Sequence, residues 1–256
     1  MSWYGKINKV FGDFCGALSL IIASYILAFV LQLIGLSALI SSLIIDISLG
    51  TVAFLLYRKM RSQPKFRLHR CVNKKASIIT GICFIPLVYY IVNLSLWCSN
   101  VLFVNDAGMT NHTSNLQSGS FVLQMIFVVV IAPLYEELSL RLFAYNWLKS
   151  SINWVSSMII TALVFAAMHG TKSHLVSGFI FGIIMVLVYE ITGLWWASIV
   201  AHMFYNLMAM ILPSYIFIHS TPVLLLLTLF VICGIVFVSV YVDKLMKSDR
   251  YVKNDV

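Results

Sequence analysis

Three short patterns hold the residues with chemistry in them. In "EELSLR", Glu137 and Arg141 are four apart, so on a helix they share a face and can pair, each lowering the other's desolvation cost. Glu136 stands about 100° around the same helix and points elsewhere, free to act. In "FAAMHG", Phe165 and His169 are again four apart, setting an aromatic ring one turn below an imidazole, and Gly170 permits a turn or a close helix approach. In "AHMFYN", His202 and Asn206 offer an imidazole and a carboxamide on one face, both able to donate hydrogen bonds.

Such a set suits hydrolysis. A carboxylate and an imidazole can take a proton from water, while a second imidazole and an Asn amide can donate to the oxyanion that forms on a scissile carbonyl. Glu and His could instead bind a divalent metal such as Zn²⁺ with a water in an open position; spacing leaves both chemistries open. Each pattern also has a structural use: Glu137 with Arg141 as an ion pair, His169 as a helix-end residue, and His202 with Asn206 as hydrogen bonds between helices.

The elements that must position these residues are membrane spans. The 256-residue chain is 61% hydrophobic and only 10% charged, with a mean hydropathy of +0.96, outside the range of soluble domains. Crossing a hydrocarbon core takes roughly 20 helical residues, and eight stretches qualify, near 14–34, 37–57, 77–97, 120–142, 152–170, 174–190, 193–212 and 222–242. Runs such as "SYILAFVLQLIGL" lack the alternation of a membrane β-strand. The expected fold is therefore all-α, a polytopic membrane helical bundle of about eight transmembrane helices forming one integral-membrane domain over 1–256.

With both termini in the cytoplasm, 16 of the 17 basic residues fall inside, Arg141 and Lys149 counted after the fourth span, and only Lys172 outside. The net charge of +8 is then a topology signal, not a nucleic-acid footprint. The basic stretch 58–75, flanked by spans, is expected to meet anionic lipid. The first span has no cleavage site after it and is expected to be retained.

Hairpin arithmetic brings the first two patterns together. A turn near Ser151 puts Glu136 and His169 about 22 and 27 Å along antiparallel helices, so they can meet at one depth. His202 and Asn206, which start nine residues after Gly193, also lie within the bilayer. Asp46 is a lone carboxylate in the second span with no partner in sequence. Glu190, Trp195 and Trp196 read as interfacial, His112 and His219 as solvated loop residues. Cys15, Cys71, Cys83, Cys98 and Cys233, odd in number and without CxxC spacing, read as packing residues.

In order, on successive spans, the three patterns resemble the CPBP family of CAAX proteases and bacteriocin-processing enzymes (Abi, or type II CAAX prenyl endopeptidases), whose signatures are EExxxR, FxxxH and HxxxN. The resemblance covers about 121–212, which would form the catalytic core. It implies an intramembrane endopeptidase in which Glu136 and His169 activate water, His202 and Asn206 form the oxyanion site, and Glu137, Arg141 and Phe165 support them. The family is labelled metalloprotease, yet a metal-independent glutamate mechanism is also argued for it. The substrate would be a peptide or membrane-protein segment, with bacteriocin self-immunity or peptide processing as the role and a bacterial plasma membrane as the location. The alternative is a non-proteolytic immunity or regulatory partner of a receptor or sensor kinase.

Overall fold

The computed structural model describes residues 3–63, 90, 121–169 and 172–211. Six helices account for nearly all of them: α1 (Trp3–Leu33), α2 (Ala38–Arg61), α3 (Phe121–Lys149), α4 (Trp154–Met168), α5 (Lys172–Thr192) and α6 (Ala197–Ile211). No strand occurs among the described residues. The expected spans at 77–97, residue 90 apart, and 222–242 lie outside them, as do Gly170, His112, His219, Cys71, Cys83, Cys98, Cys233 and most of the basic stretch.

Local chemistry sets the helix limits. Ser37 and Asn153 cap α2 and α4, their side-chain oxygens accepting from Ile40 and Ser156 N–H groups. Gly35 and Gly193 take positive φ in the turns after α1 and α5. Four segments, Phe11–Leu33, Ala38–Arg61, Phe121–Lys149 and His174–Thr192, are long and apolar enough to cross a membrane, whereas α4 and α6 are shorter apolar helices. The outer face of α1 exposes Ile22, Ile26, Phe29 and Leu33, as a lipid-facing surface should. Cys15 is exposed there too, so the packing role expected of it does not hold.

α3 departs from its expected limits. It runs to Lys149, seven residues past 142, and so draws Arg141 inside the helix, where it is 1% exposed instead of following a span. The reason is compensation: Glu137 and Asn146 keep the helix going where charge predicted its end. α3 is also not a uniform α-helix. π-helical turns occupy Phe127–Ile131 and Leu138–Tyr145, and the α-helical segment Ala132–Glu137 between them carries both glutamates.

Close contacts fix the other helices around α3. A Cβ on Gly182 would lie 2.8 Å from the Ala162 Cα, and one on Gly178 would lie 3.3 Å from the Ala166 Cα. Two glycines four apart thus let α4 and α5 approach as small-residue pairs do in membranes. Gly50 on α2 packs against the Tyr135 backbone of α3 at ordinary contact distance, 3.6 Å from an added Cβ to the Tyr135 Cα. At the end nearest the α3–α4 turn, the Asp13 carboxylate accepts from the Trp147 indole and the Ser151 hydroxyl, and Lys149 pairs with Glu190 at 2.6 Å.

Candidate active site

Glu137 is the buried anchor of the site. It is fully buried, and its Oε1 lies 3.0 Å from Arg141 Nη1 and accepts a hydrogen bond from His202 Nδ1 at 2.9 Å. The Arg141 N–H groups are not aligned for good hydrogen bonds, so proximity holds that pair together. The guanidinium also lies over the Phe165 ring, 4.7 Å from its centroid, a favourable site for a desolvated cation. Phe165 in turn stacks on Phe181 at 5.3 Å and meets the His169 and His202 rings at 4.6 and 5.9 Å. One aromatic ring therefore touches the cation and both histidines.

Glu136 has different surroundings. Its Oε2 stands 3.7 Å from His202 Nε2, and its side chain reaches a cavity of about 340 Å³ between α1, α2, α3, the end of α4 and α6. His169 and Asn206 line the same cavity. His169 is the C-cap of α4, and its Nδ1 lies 2.9 Å from the Phe165 carbonyl oxygen. A carbonyl can only accept, so Nδ1 carries the proton and the neutral ring keeps its lone pair on Nε2.

Asn206 donates from Nδ2 to the Val128 carbonyl at 2.8 Å, and α3 explains why that carbonyl is open. In the π-helical turn the Ala132 N–H bonds to Phe127 O, five residues back. The next bond in that register would run from residue 133 to Val128 O, but residue 133 is proline and has no N–H. The Asn206 amide fills the gap. The second π-helical stretch is closed in a similar way, by the Asn146 amide donating to the Arg141 and Leu142 carbonyls at 3.0 Å each.

The structure thus brings together all seven residues singled out by type and spacing, but in two layers. Glu136, His169 and Asn206 line the cavity; Glu137, Arg141, Phe165 and His202 lie behind it. Spacing did not reveal the contacts of His202 with both glutamates, nor Phe181, which stands 4.6 Å from the His202 ring. It also left out Asp46 and Tyr135, which line the cavity. Asp46 was visible as a charge inside a span; nothing in the sequence marks Phe181.

The donor set bears on a metal. Among the described residues no three His, Cys, Asp or Glu side chains converge as a metal site requires. His202 donates from Nδ1 to Glu137, which leaves Nε2 as its open nitrogen, and His169, whose ring stands 6.1 Å from that of His174, keeps Nε2 open in the same way.

No curated protein and no solved structure matches the chain. Residues 118–208 match the family model described as type II CAAX prenyl endopeptidase Rce1-like, a protease family. That range contains the two glutamates, Arg141, Phe165, His169, His202 and Asn206, and the match supports the CPBP family for this segment.

Proposed function

We propose that the protein is an intramembrane endopeptidase that cleaves a peptide or membrane-protein segment with a water activated by Glu136 and His169. The observation carrying this reading is the separation of the glutamates, one locked behind the site with Arg141 and His202, the other beside a cavity that His169 and Asn206 also line.

Glu136, acting as general base, takes a proton as the water oxygen attacks the scissile carbonyl. His169, with Nδ1–H held by the Phe165 carbonyl, offers Nε2 to orient the same water. The Asn206 amide has one hydrogen beyond that given to Val128, and it donates to the developing oxyanion. His202 holds the carboxylate pair in register, with Nδ1 on Glu137 and Nε2 3.7 Å from Glu136. The proton on Glu136 then passes to the leaving amine as the C–N bond breaks. Only this chain's side chains take part in these steps; a bacterial plasma membrane and a part in peptide processing or bacteriocin self-immunity fit the same reading.

Purified wild-type protein in nanodiscs should cleave members of a hydrophobic peptide mixture, read by mass spectrometry. Glu136→Gln and His169→Ala should each lower the rate by at least about a hundredfold, the scale of a lost general base, with unchanged thermal melts. Equal cleavage by all three proteins would refute the proposal.

A further inference from the structure

The cavity holds a second carboxylate for which the hydrolytic scheme has no use. Asp46 projects from α2 into the same space as Glu136, and the two are close enough to interact electrostatically. Gly50, one turn along α2, packs against the Tyr135 backbone next to Glu136, which brings this part of α2 alongside the site. Among the described residues Asp46 forms no ion pair, and no Lys or Arg lines the cavity. The nearby cation, Arg141, is sealed behind the wall with Glu137 and Phe165.

A carboxylate at membrane depth costs about 2.5–3.5 kcal/mol on insertion scales and faces an interior where a partner or water meets it. Hydrolysis needs one carboxylate base, which Glu136 provides. The hydroxyls of Ser24 and Ser42 also line the space around Asp46, among apolar side chains such as Ile45, Phe127 and Met168. The Ser24 hydroxyl donates to the Ile21 carbonyl and retains its lone pairs. Two carboxyl groups in one cavity with free hydroxyl lone pairs and no Lys or Arg in its lining are what an ammonium or guanidinium requires.

We propose that Asp46 is a specificity-determining residue of this site, receiving a basic group of the substrate close to the scissile bond. The group is a lysine or arginine side chain or a free N-terminal ammonium. This inference rests on the peptidase reading above, since it assigns a subsite of that cavity.

The test uses full-length protein in nanodiscs and hydrophobic peptides that differ at one position (Lys, Arg, Gln or Glu), each with a free or an acetylated N-terminus. Binding is measured on Glu136→Gln protein, so that it is read without cleavage. Basic peptides should bind at least about tenfold more tightly than Gln peptides, the scale of one desolvated charge pair. Adding Asp46→Asn should erase that difference, and Asp46→Lys should move the preference to Glu peptides. Loss of the preference on acetylation alone would assign the N-terminal ammonium; persistence would assign the side chain. An unchanged preference in Asp46→Asn, or an equal fall in binding for every peptide, would overturn the proposal. Cleavage by the Glu136 protein with and without Asp46→Asn is read in parallel. If wild type cleaves nothing, the peptidase reading fails, while the binding comparison still decides Asp46.

Discussion

Glu136 and Glu137 are neighbours in sequence, yet their side chains answer to different partners, and mutation should separate them. Glu137 and Arg141 form a buried pair in which each charge offsets the other's desolvation, and His202 adds a hydrogen bond to Glu137. Removing one partner from such a pair leaves an uncompensated buried charge, typically costing about 3–5 kcal/mol. Glu137→Gln should therefore lower the thermal unfolding midpoint clearly, whereas Glu136→Gln, at the cavity wall, should leave it near wild type while abolishing cleavage. Arg141→Leu added to Glu137→Gln should recover part of the lost stability, because it removes the stranded cation. A melt in which Glu136→Gln is the more damaging change would reverse the two assignments. The 100° between adjacent helical residues made this division legible in the sequence. The bond from His202 to Glu137 was not, since 65 residues separate them and only packing brings them into contact.

At the scale of the element, α3 departs from the sequence reading in two ways: it runs past the charges taken to mark its end, and it is partly π-helical. A π-helical turn adds a residue without changing composition, so the pattern of apolar positions gives no sign of it. Pro133 was the one visible trace. Because the Asn206 amide occupies the carbonyl that Pro133 leaves open, the two residues are coupled although they lie on different helices. Asn206→Ala should cost about 1–3 kcal/mol by leaving the Val128 carbonyl without a donor. Pro133→Ala restores an N–H in the π register, and in that background Asn206→Ala should cost markedly less. A double-mutant cycle on thermal unfolding measures the coupling, and strict additivity would remove the explanation. The α4–α5 contact provides a second case. Gly182→Ala puts a methyl 2.8 Å from the Ala162 backbone, where a neighbouring helix must shift. A cost of about 1–3 kcal/mol is expected from overpacking. Because Phe165 and His169 ride on α4, turnover should fall further than the melt alone implies.

For the whole molecule, the apolar composition already indicates that these helices live in lipid, and the lipid-facing surface of α1 agrees. Orientation depends instead on where the basic residues fall, and α2 offers a direct way to test it. Its 24 residues span about 36 Å, so the exposed residues Ile34, in the turn before it, and Gln63, just after it, belong on opposite sides of a bilayer. Arg58, Lys59 and Arg61 crowd the Gln63 end, and the positive-inside rule assigns that end to the cytoplasm. In a variant lacking the native cysteines, a membrane-impermeant maleimide added to intact cells should label Ile34→Cys and not Gln63→Cys, with both labelled after lysis. The reverse pattern would invert the topology. The outcome also fixes how substrate arrives. Asp46 lies eight residues from the start of α2 and fifteen from its end, or about 12 and 22 Å, so the cavity belongs to the half of the bundle nearest Ile34. With the expected labelling, the peptide that meets Glu136 approaches from the outer leaflet or the external medium, and a soluble cytoplasmic peptide should be a poor substrate unless the membrane is permeabilised.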